Sequence, residues 1–234
     1  MKRLVIGIAV LVLIAVAGVG AARLYLANFS PDRSRYPVRG IDVSHHQGVI
    51  DWQAVAGDDV AFAMIKATEG GDHVDEDFAA NLAAAREAGL KVGAYHYFTL
   101  CRPGAEQAAN FLAVTSRDGP LLPPAIDLEY EGNCSERPAP EILRAEVEAF
   151  LGPVEAAFGQ QAIFYITSSF YDDYFRDLPR RPLWTRRIAW HPGHDDWMVW
   201  QYHDEGRVKG IQGDVDLNVL QGGPDQLTRL AVTP

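Results

Sequence analysis

Two carboxylates, Asp127 and Glu129, stand two residues apart in the stretch PPAIDLEYEG, residues 123–132, among apolar neighbours. On a β-strand that spacing sends both side chains to one face together with Ala125, while Ile126 and Leu128 leave by the other. Two nearby carboxyl groups resist ionising together, so one keeps its proton toward neutral pH. A carboxyl that keeps its proton can protonate a glycosidic oxygen while its partner stays anionic beside developing positive charge. Glu129 has the longer reach and is the expected proton donor, with Asp127 as the anionic helper. Asp42, in RGIDVS, and Asp216, in GDVDLN, lie in two more strand-like runs. Glu131 reads as solvated loop.

Other residues fit the same chemistry. Tyr95, Tyr97, Tyr130, Tyr165, Trp190, Trp200 and Tyr202 fall on or beside strand ends, where aromatic faces could pack on sugar rings. For any one of them, filling a half-buried sheet is an equal reading. Lys66, Thr68 and Glu69, in KATEG, form either an ion pair at a strand end or a ligand contact. The histidines His45, His46, His96, His191, His194 and His203 show no HExxH or comparable spacing, so no metal site is expected. No nucleotide motif occurs, and no cofactor is implied.

Elements must bring these acids together. Eight runs read as strands: 38–44, 60–68, 90–98, 123–129, 161–167, 186–190 (RRIAW), 196–203 and 213–220. Helical spacing follows each of the first five, including 75–88, which carries acids in its first turn and Gly89 as a stop. Alternation of this kind belongs to the α/β class and predicts a β/α barrel with an irregular last part, an open doubly wound sheet being the alternative. Catalytic groups of such a barrel gather at the C-terminal strand ends. The first and eighth strands become neighbours, and the fourth lies across the mouth, so Asp42, Asp216, Asp127 and Glu129 could converge.

Composition restricts the rest. The chain has 234 residues, 48% apolar, and a net charge of −10. Residues 1–30 hold three of the bases and no acid, leaving 18 bases against 31 acids elsewhere, a poor partner for nucleic acid. Residues 4–22 are uncharged, follow Lys2 and Arg3, and end at Arg23. As a helix they approach the thickness of a bilayer core, which predicts a transmembrane signal-anchor or, if cleaved, a signal peptide, with the body exported. The expected organisation is 1–23 signal-anchor or signal peptide, 24–37 linker, 38–222 barrel and 223–234 tail. Outside the cytoplasm, Cys101 and Cys134 could form a disulfide, two free thiols being the alternative.

RGIDVSHHQGVIDW, FAMIKATEG, GLKVGAYHYF, PAIDLE and MVWQYHDEGRVKGIQGDVDLNVL, in this order, resemble glycoside hydrolase family 25, the Chalaropsis-type lysozymes or N-acetylmuramidases. The resemblance runs from about residue 38 to residue 222. It implies a flattened, irregular TIM-like (β/α)5(β)3 barrel that hydrolyses the β-1,4 bond between N-acetylmuramic acid and N-acetylglucosamine in peptidoglycan. It assigns Glu129 as catalytic acid, Asp127 as its partner, and Asp42 and Asp216 as further catalytic aspartates. For substrate contacts it suggests Tyr95, Tyr165, Trp190 and Gln201, beside Lys66 and Glu69. It also implies a mechanism in which the substrate's own N-acetyl group attacks the anomeric carbon, inversion through Asp42 or Asp216 being the alternative. The family's Leu-Trp-Ile-Ala run is displaced here into PLWTRRIAWHP, and EGNCSERP after the acid pair is insertion-like. The implied partner is the peptidoglycan strand, with membrane contact through residues 4–22 if these are uncleaved, and a monomer is expected. Two rival functions are a membrane-tethered peptidoglycan-binding protein without activity and a glycosidase acting on another N-acetylated glycan.

Overall fold

The protein is described from a computed structural model that covers residues 2–115, 119, 121–193 and 196–232, with backbone alone for 2–7, 9 and 10. The chain divides into two units, Met1–Ser30 and Pro31–Pro234. The first is built on helix α1, Lys2–Ala27. Among the described residues, no helix is long and apolar enough to cross a membrane. The expectation of a transmembrane or signal-anchor helix over residues 4–22 is corrected accordingly. Ala15, Ala17, Gly18, Gly20, Ala21 and Ala22 carry little apolar surface, and Arg23 is charged, so the strongly apolar part of α1 is short. Residues 24–37 divide between the units: 24–27 continue α1, and 31–37 belong to the second.

The second unit is an irregular closed β-barrel flanked by helices. Its strands are β1 (Arg39–Val43), β2 (Phe62–Glu69), β3 (His73–Val74), β4 (Lys91–Tyr97), β5 (Ala125–Leu128), β6 (Ile163–Ile166), β7 (Leu183–Arg186), β8 (Trp197–Gly206) and β9 (Val215–Leu220). β3 only extends the edge of β2, and the other eight close through the β1–β2 pairing. Helices α2 (Trp52–Ala56), α3 (Phe78–Glu87), α4 (Gly104–Val114), α5 (Pro140–Phe158) and α6 (Ser168–Tyr174) connect the parallel strands from β1 to β7. Among the described residues no helix follows β7 or β8. β9 runs antiparallel to both of its neighbours, β8 and β1. The last helix, α7 (Pro224–Leu230), buries Leu227 against the apolar cluster that includes Phe62, Met64 and Leu122.

One expected strand lies elsewhere. RRIAW, 186–190, is the exit from β7 and not a strand, because Ala189 has φ of 58°, in the left-handed region that extended chains avoid. The pairing segment is Leu183–Arg186, entered from Pro182 and buried at Leu183 and Trp184.

Side chains fill the barrel in layers. Phe62, Met64, Ala125, Ile163, Trp184, Val199 and Leu220 form its apolar interior. A Cβ on Gly40 would meet the Phe62 ring at 2.3 Å, and one on Gly93 would meet the Met64 sulfur at 2.6 Å. Glycine at these two places is what lets large side chains from β2 occupy the axis. Above this layer the inward positions turn polar: Asp42, Lys66, Tyr95, Asp127, Tyr165, Gln201 and Asn218. That change from apolar to polar marks the mouth.

Candidate active site

A cavity of about 420 Å³ opens at the mouth, lined by Asp42, Ser44, His46, Gln47, Lys66, Glu69, Tyr95, Tyr97, Asp127, Glu129, Glu131, Gly132 and Asp216. All four expected acids reach it. Asp127 is the third residue of β5 and Glu129 follows that strand, so the two-residue period carries both inward above Ala125. Asp42 ends up opposite Asp216 across the antiparallel β1–β9 pair. Asp216 therefore sits near the start of its strand and not at a C-terminal end. Reversal of β9 is what brings it to the mouth.

Asp42 is held by a chain of hydrogen bonds. The indole N–H of Trp184 donates to Asn218 Oδ1 at 2.8 Å, and Asn218 Nδ2 donates to Asp42 Oδ2 at 2.6 Å. From the other side, the Tyr165 hydroxyl donates to Gln201 Oε1 at 3.0 Å, and Gln201 Nε2 donates to the same Asp42 oxygen at 3.0 Å. An indole N–H can only donate, so the Asn218 amide must turn its oxygen to Trp184 and its nitrogen to Asp42. Asp42 Oδ2 is thus an acceptor on this side, and the hydrogen bond between Asp42 and Asp216 favours the proton on Asp216. Burial, and then the charge of Asp42, push the Asp216 carboxyl up to about 9. Burial also raises Asp42, against the opposing pull of Asn218 and Gln201.

The other acid pair is shifted in the same direction. Burial raises Asp127 well above the carboxylate range, with repulsion from Glu129 adding to it and Lys66 opposing. Glu129 is pushed up to about 7, again first by burial, while Arg186 draws it down and Glu131 draws it up. A carboxyl poised near 7 can both give and take a proton at neutral pH. Asp127 Oδ1 is buried and has no hydrogen-bond partner among the described residues.

A bulge places the cation of the cleft. Pairing between β2 and β4 shifts register between Lys66 and Thr68, so Lys66 pairs with Tyr95 while Glu69 pairs with Tyr97. Residues three apart on a regular strand face opposite sides; the extra residue puts both on the inner face. They form an ion pair of 2.7 Å, with the Lys66 ammonium 4.9 Å from the Tyr97 ring centroid. Both readings of KATEG therefore meet in one place, since the pair also lines the cavity. Thr68 turns outward, to His96 Nδ1 at 2.7 Å, and His96 is further held by Gln107 between barrel and helices. Burial lowers its imidazole to about 4, which keeps it neutral.

Two loops complete the rim. Ser44 caps the short helical turn His45–Gln47: its hydroxyl accepts from His46 N, and its N–H donates to Gln47 Oε1. His46 and Gln47 are thereby presented to the cavity. Cys101 and Cys134 are joined as a disulfide, with Cα atoms 6.4 Å apart. Beside it, Asn133 accepts from Leu100 N and donates to the carbonyls of Phe98 and Glu129. The exits of β4 and β5 are so tied together.

The aromatic expectation needs correction. Tyr95 and Tyr97 line the cavity and Tyr165 lies beneath it. Trp190 does not join them: it is 68% exposed and outside the cavity lining. Trp200 and Tyr202 are buried in a separate aromatic cluster with Tyr36 and Trp197. The tryptophan under the site is Trp184, packed edge-on against Tyr95 and Tyr165. Arg186, two residues on along the same inner face and paired with Asp204 at 2.6 Å, was also missed. Both follow once the strand is read as LWTR. Asn218 was within reach of the VDLN motif, since it lies two residues from Asp216. Among the described residues, no three His, Cys, Asp or Glu side chains are grouped to hold a metal ion, and His194 lies outside the described residues.

Comparison with known proteins agrees with this geometry. The family model described as glycosyl hydrolases family 25 matches residues 41–211. The uncharacterized protein YegX of Escherichia coli K12 is 37% identical over 204 residues, covering 82% of this chain and 72% of its own. Lysozyme M1 of Streptomyces globisporus is 33% identical over 212 residues, covering 83% and 71%. The solved structure of a family 25 glycosyl hydrolase from Bacillus anthracis superposes with a TM-score of 0.80 at 32% identity, covering 87% of this chain and 97% of that one. An acid-lined barrel mouth and these four matches lead to one statement: this chain belongs to glycosyl hydrolases family 25.

Proposed function

We propose that Glu129 is the general acid and base of a peptidoglycan muramidase, and that Asp127 orients the substrate's acetamido group. The chain is a glycoside hydrolase by its family, and muramidase activity is that family's reading. The observation that carries the residue roles is the pairing of a carboxyl poised near 7 with a buried carboxylate oxygen that has no protein partner.

In this reading Glu129 gives its proton to the bridging oxygen as the bond from that oxygen to the anomeric carbon breaks. The acetamido oxygen of the same sugar closes on the anomeric carbon, forming an oxazolinium ring. Its N–H faces Asp127 Oδ1; as that N–H docks, Asp127 releases to solvent the proton that burial holds in the free enzyme, and its carboxylate then stabilises the positive charge. Glu129, now ionised, takes a proton from water, and the oxygen of that water opens the ring with retained configuration. Asp42, held by Gln201 and Asn218, and Asp216, hydrogen-bonded to Asp42, act together as a charged pair beside the site. Substrate of this kind lies outside the cytoplasmic membrane, and the reading places the enzyme there.

Release of reducing ends from purified peptidoglycan tests the assignment. Glu129→Gln is expected to lower the rate by about 10²–10⁴-fold, the usual worth of a positioned acid. Mass spectrometry should find muramic acid at the new reducing ends, and NMR of the first product should show the β-anomer. An α-anomer would transfer water activation to Asp42 or Asp216. Wild-type protein that yields no new ends between pH 4 and 8 would refute the muramidase reading.

A further inference from the structure

We propose that a groove on the outer side of the β6–β7 edge is a second binding site, which takes carboxylate groups of the peptides carried by the glycan substrate; this rests on the peptidoglycan reading above. Two cavities, of about 160 and about 420 Å³, share Tyr171 and Asp172 as walls. Arg187 and Thr185 line the first, and Arg176 and Arg180 line the second. Among the described residues no helix follows β7, and the outward-facing Thr185 of that strand lines the first cavity.

Two independent features indicate a ligand. Thr185 is 8% exposed, and its hydroxyl has no hydrogen-bond partner among the described residues, although buried polar groups normally find one. The second feature is charge. The chain carries −10 overall, and a number of its cations, among them Arg33, Arg102, Arg144, Arg181, Arg207 and Lys209, pair with carboxylates. Among the described residues, no ion pair joins Arg176, Arg180 or Arg187 to a carboxylate, even though Asp172 and Asp196 line the same walls. Three exposed guanidinium groups left uncompensated in one groove of an acidic protein attract anions, and their planar forks match carboxylates. Tyr171 stacks on Phe175 with centroids 4.2 Å apart, giving the groove an apolar wall for the stems of peptide side chains.

Position identifies the anion. Ile166 and Thr185 line the groove, while Tyr165 and Arg186, their neighbours on the same strands, face the acids of the mouth. The groove is therefore one strand away from the cleft and on its mouth side. Muramic acid carries its peptide on the lactyl group, and that peptide bears free carboxylates. A strand held in the cleft can send such a peptide over the β6–β7 rim.

The test compares the wild type with R176Q/R180Q/R187Q and with Thr185→Val, each checked for folding by near-ultraviolet circular dichroism. Substrates are peptidoglycan before and after hydrofluoric acid removal of phosphodiester-linked polymers, and the stripped material after an amidase has removed its peptides. The triple variant should lose about tenfold in kcat/KM on both peptide-bearing materials, chiefly through KM, and less than about twofold on peptide-free glycan. Thr185→Val should show the same selectivity with a smaller loss. Equal loss on all materials, or none on peptide-bearing glycan, overturns the proposal. A difference that vanishes after hydrofluoric acid overturns it in favour of a phosphate polymer. Wild type inactive on every material would overturn the muramidase reading and this one with it, whereas an active wild type matched by the triple variant overturns this one alone.

Discussion

Arg186→Gln and Asp204→Asn should move the alkaline limb of activity in opposite directions. Glu129 must hold its proton to act as acid, and it is poised at about 7, so kcat/KM should fall above that pH. The charged groups around it are Asp42 on β1, Lys66 on β2, Asp127 and Glu131 on its own segment, and Arg186 on β7. Of the charges acting on Glu129, Arg186 has the largest effect, and it favours the anion. Opposite charges facing one another across a partly buried cleft interact by on the order of 2 kcal/mol at an effective dielectric near 20. Asp204, 2.6 Å from the guanidinium, offsets part of that field. The remainder corresponds to about one pH unit. Loss of Arg186 should therefore raise the limb to about 8, and at pH 8 the protonated fraction would rise about fivefold, from roughly a tenth to a half. Asp204→Asn leaves the Arg186 charge unopposed and should lower the limb by a similar or smaller amount. Soluble glycan oligomers assayed from pH 5 to 9 at constant ionic strength give the profile. A limb that stays near 7 in Arg186→Gln, or moves the same way in both variants, refutes this account of the proton.

Three further outcomes follow from the same site. Asp216 is raised to about 9 against an unfolded value near 4, so between these pH values the folded chain holds a proton that the unfolded chain has released. Stability from this group is full below about 4 and declines as pH rises toward 9, and Asp216→Asn should flatten the fall of Tm between pH 5 and pH 9. Trp184→Phe strands the buried oxygen of Asn218 and should cost about 1–3 kcal/mol in urea unfolding, with loss of activity, while Trp190→Ala should stay within ~0.5 kcal/mol and keep activity. Replacing both Cys101 and Cys134 with Ser frees a loop of 33 residues, and chain entropy then predicts a loss of about 3–4 kcal/mol, read as a lower urea midpoint.

The acids were legible because the strand period is so simple. Asp127 and Glu129 had to share a face, and a barrel of alternating strands and helices had to collect such faces at one end. Asp216 was placed at the mouth for an incomplete reason: it was expected at a strand's C-terminal end, but β9 runs backward and presents its start. Strand direction is a property of pairing across the barrel, and no local pattern reports it. The Lys66–Glu69 contact was equally out of reach, since it depends on a bulge that appears only when β2 meets β4. Trp190 was expected at the site because the family's Leu-Trp-Ile-Ala run was placed within PLWTRRIAWHP; what keeps it out of the cavity lining is the left-handed turn at Ala189, a conformation that alanine composition does not announce. Residues 4–22 look apolar when counted, but much of that count is alanine and glycine, which contribute little surface.

Proton placement at the mouth follows from a donor that cannot be reversed. Trp184 offers only an N–H, so the Asn218 amide has one orientation, and Asp42 must accept from it. Gln201 bonds the same Asp42 oxygen, so Asp42 Oδ2 accepts from two amides while burial and the Asp42 charge hold a proton on Asp216. That leaves Asp127 and Glu129 as the pair whose proton can move. Lys66 and Arg186 stand on either side of this pair, each partly neutralised by its own carboxylate, Glu69 or Asp204. A cation matched in this way lowers the cost of an ionised Glu129 without fixing it in that state. Full neutralisation would leave burial to hold the proton too tightly for release to the leaving oxygen. An unopposed cation would strip it at neutral pH. The two ion pairs at the rim thus set how readily Glu129 gives up its proton and takes one back.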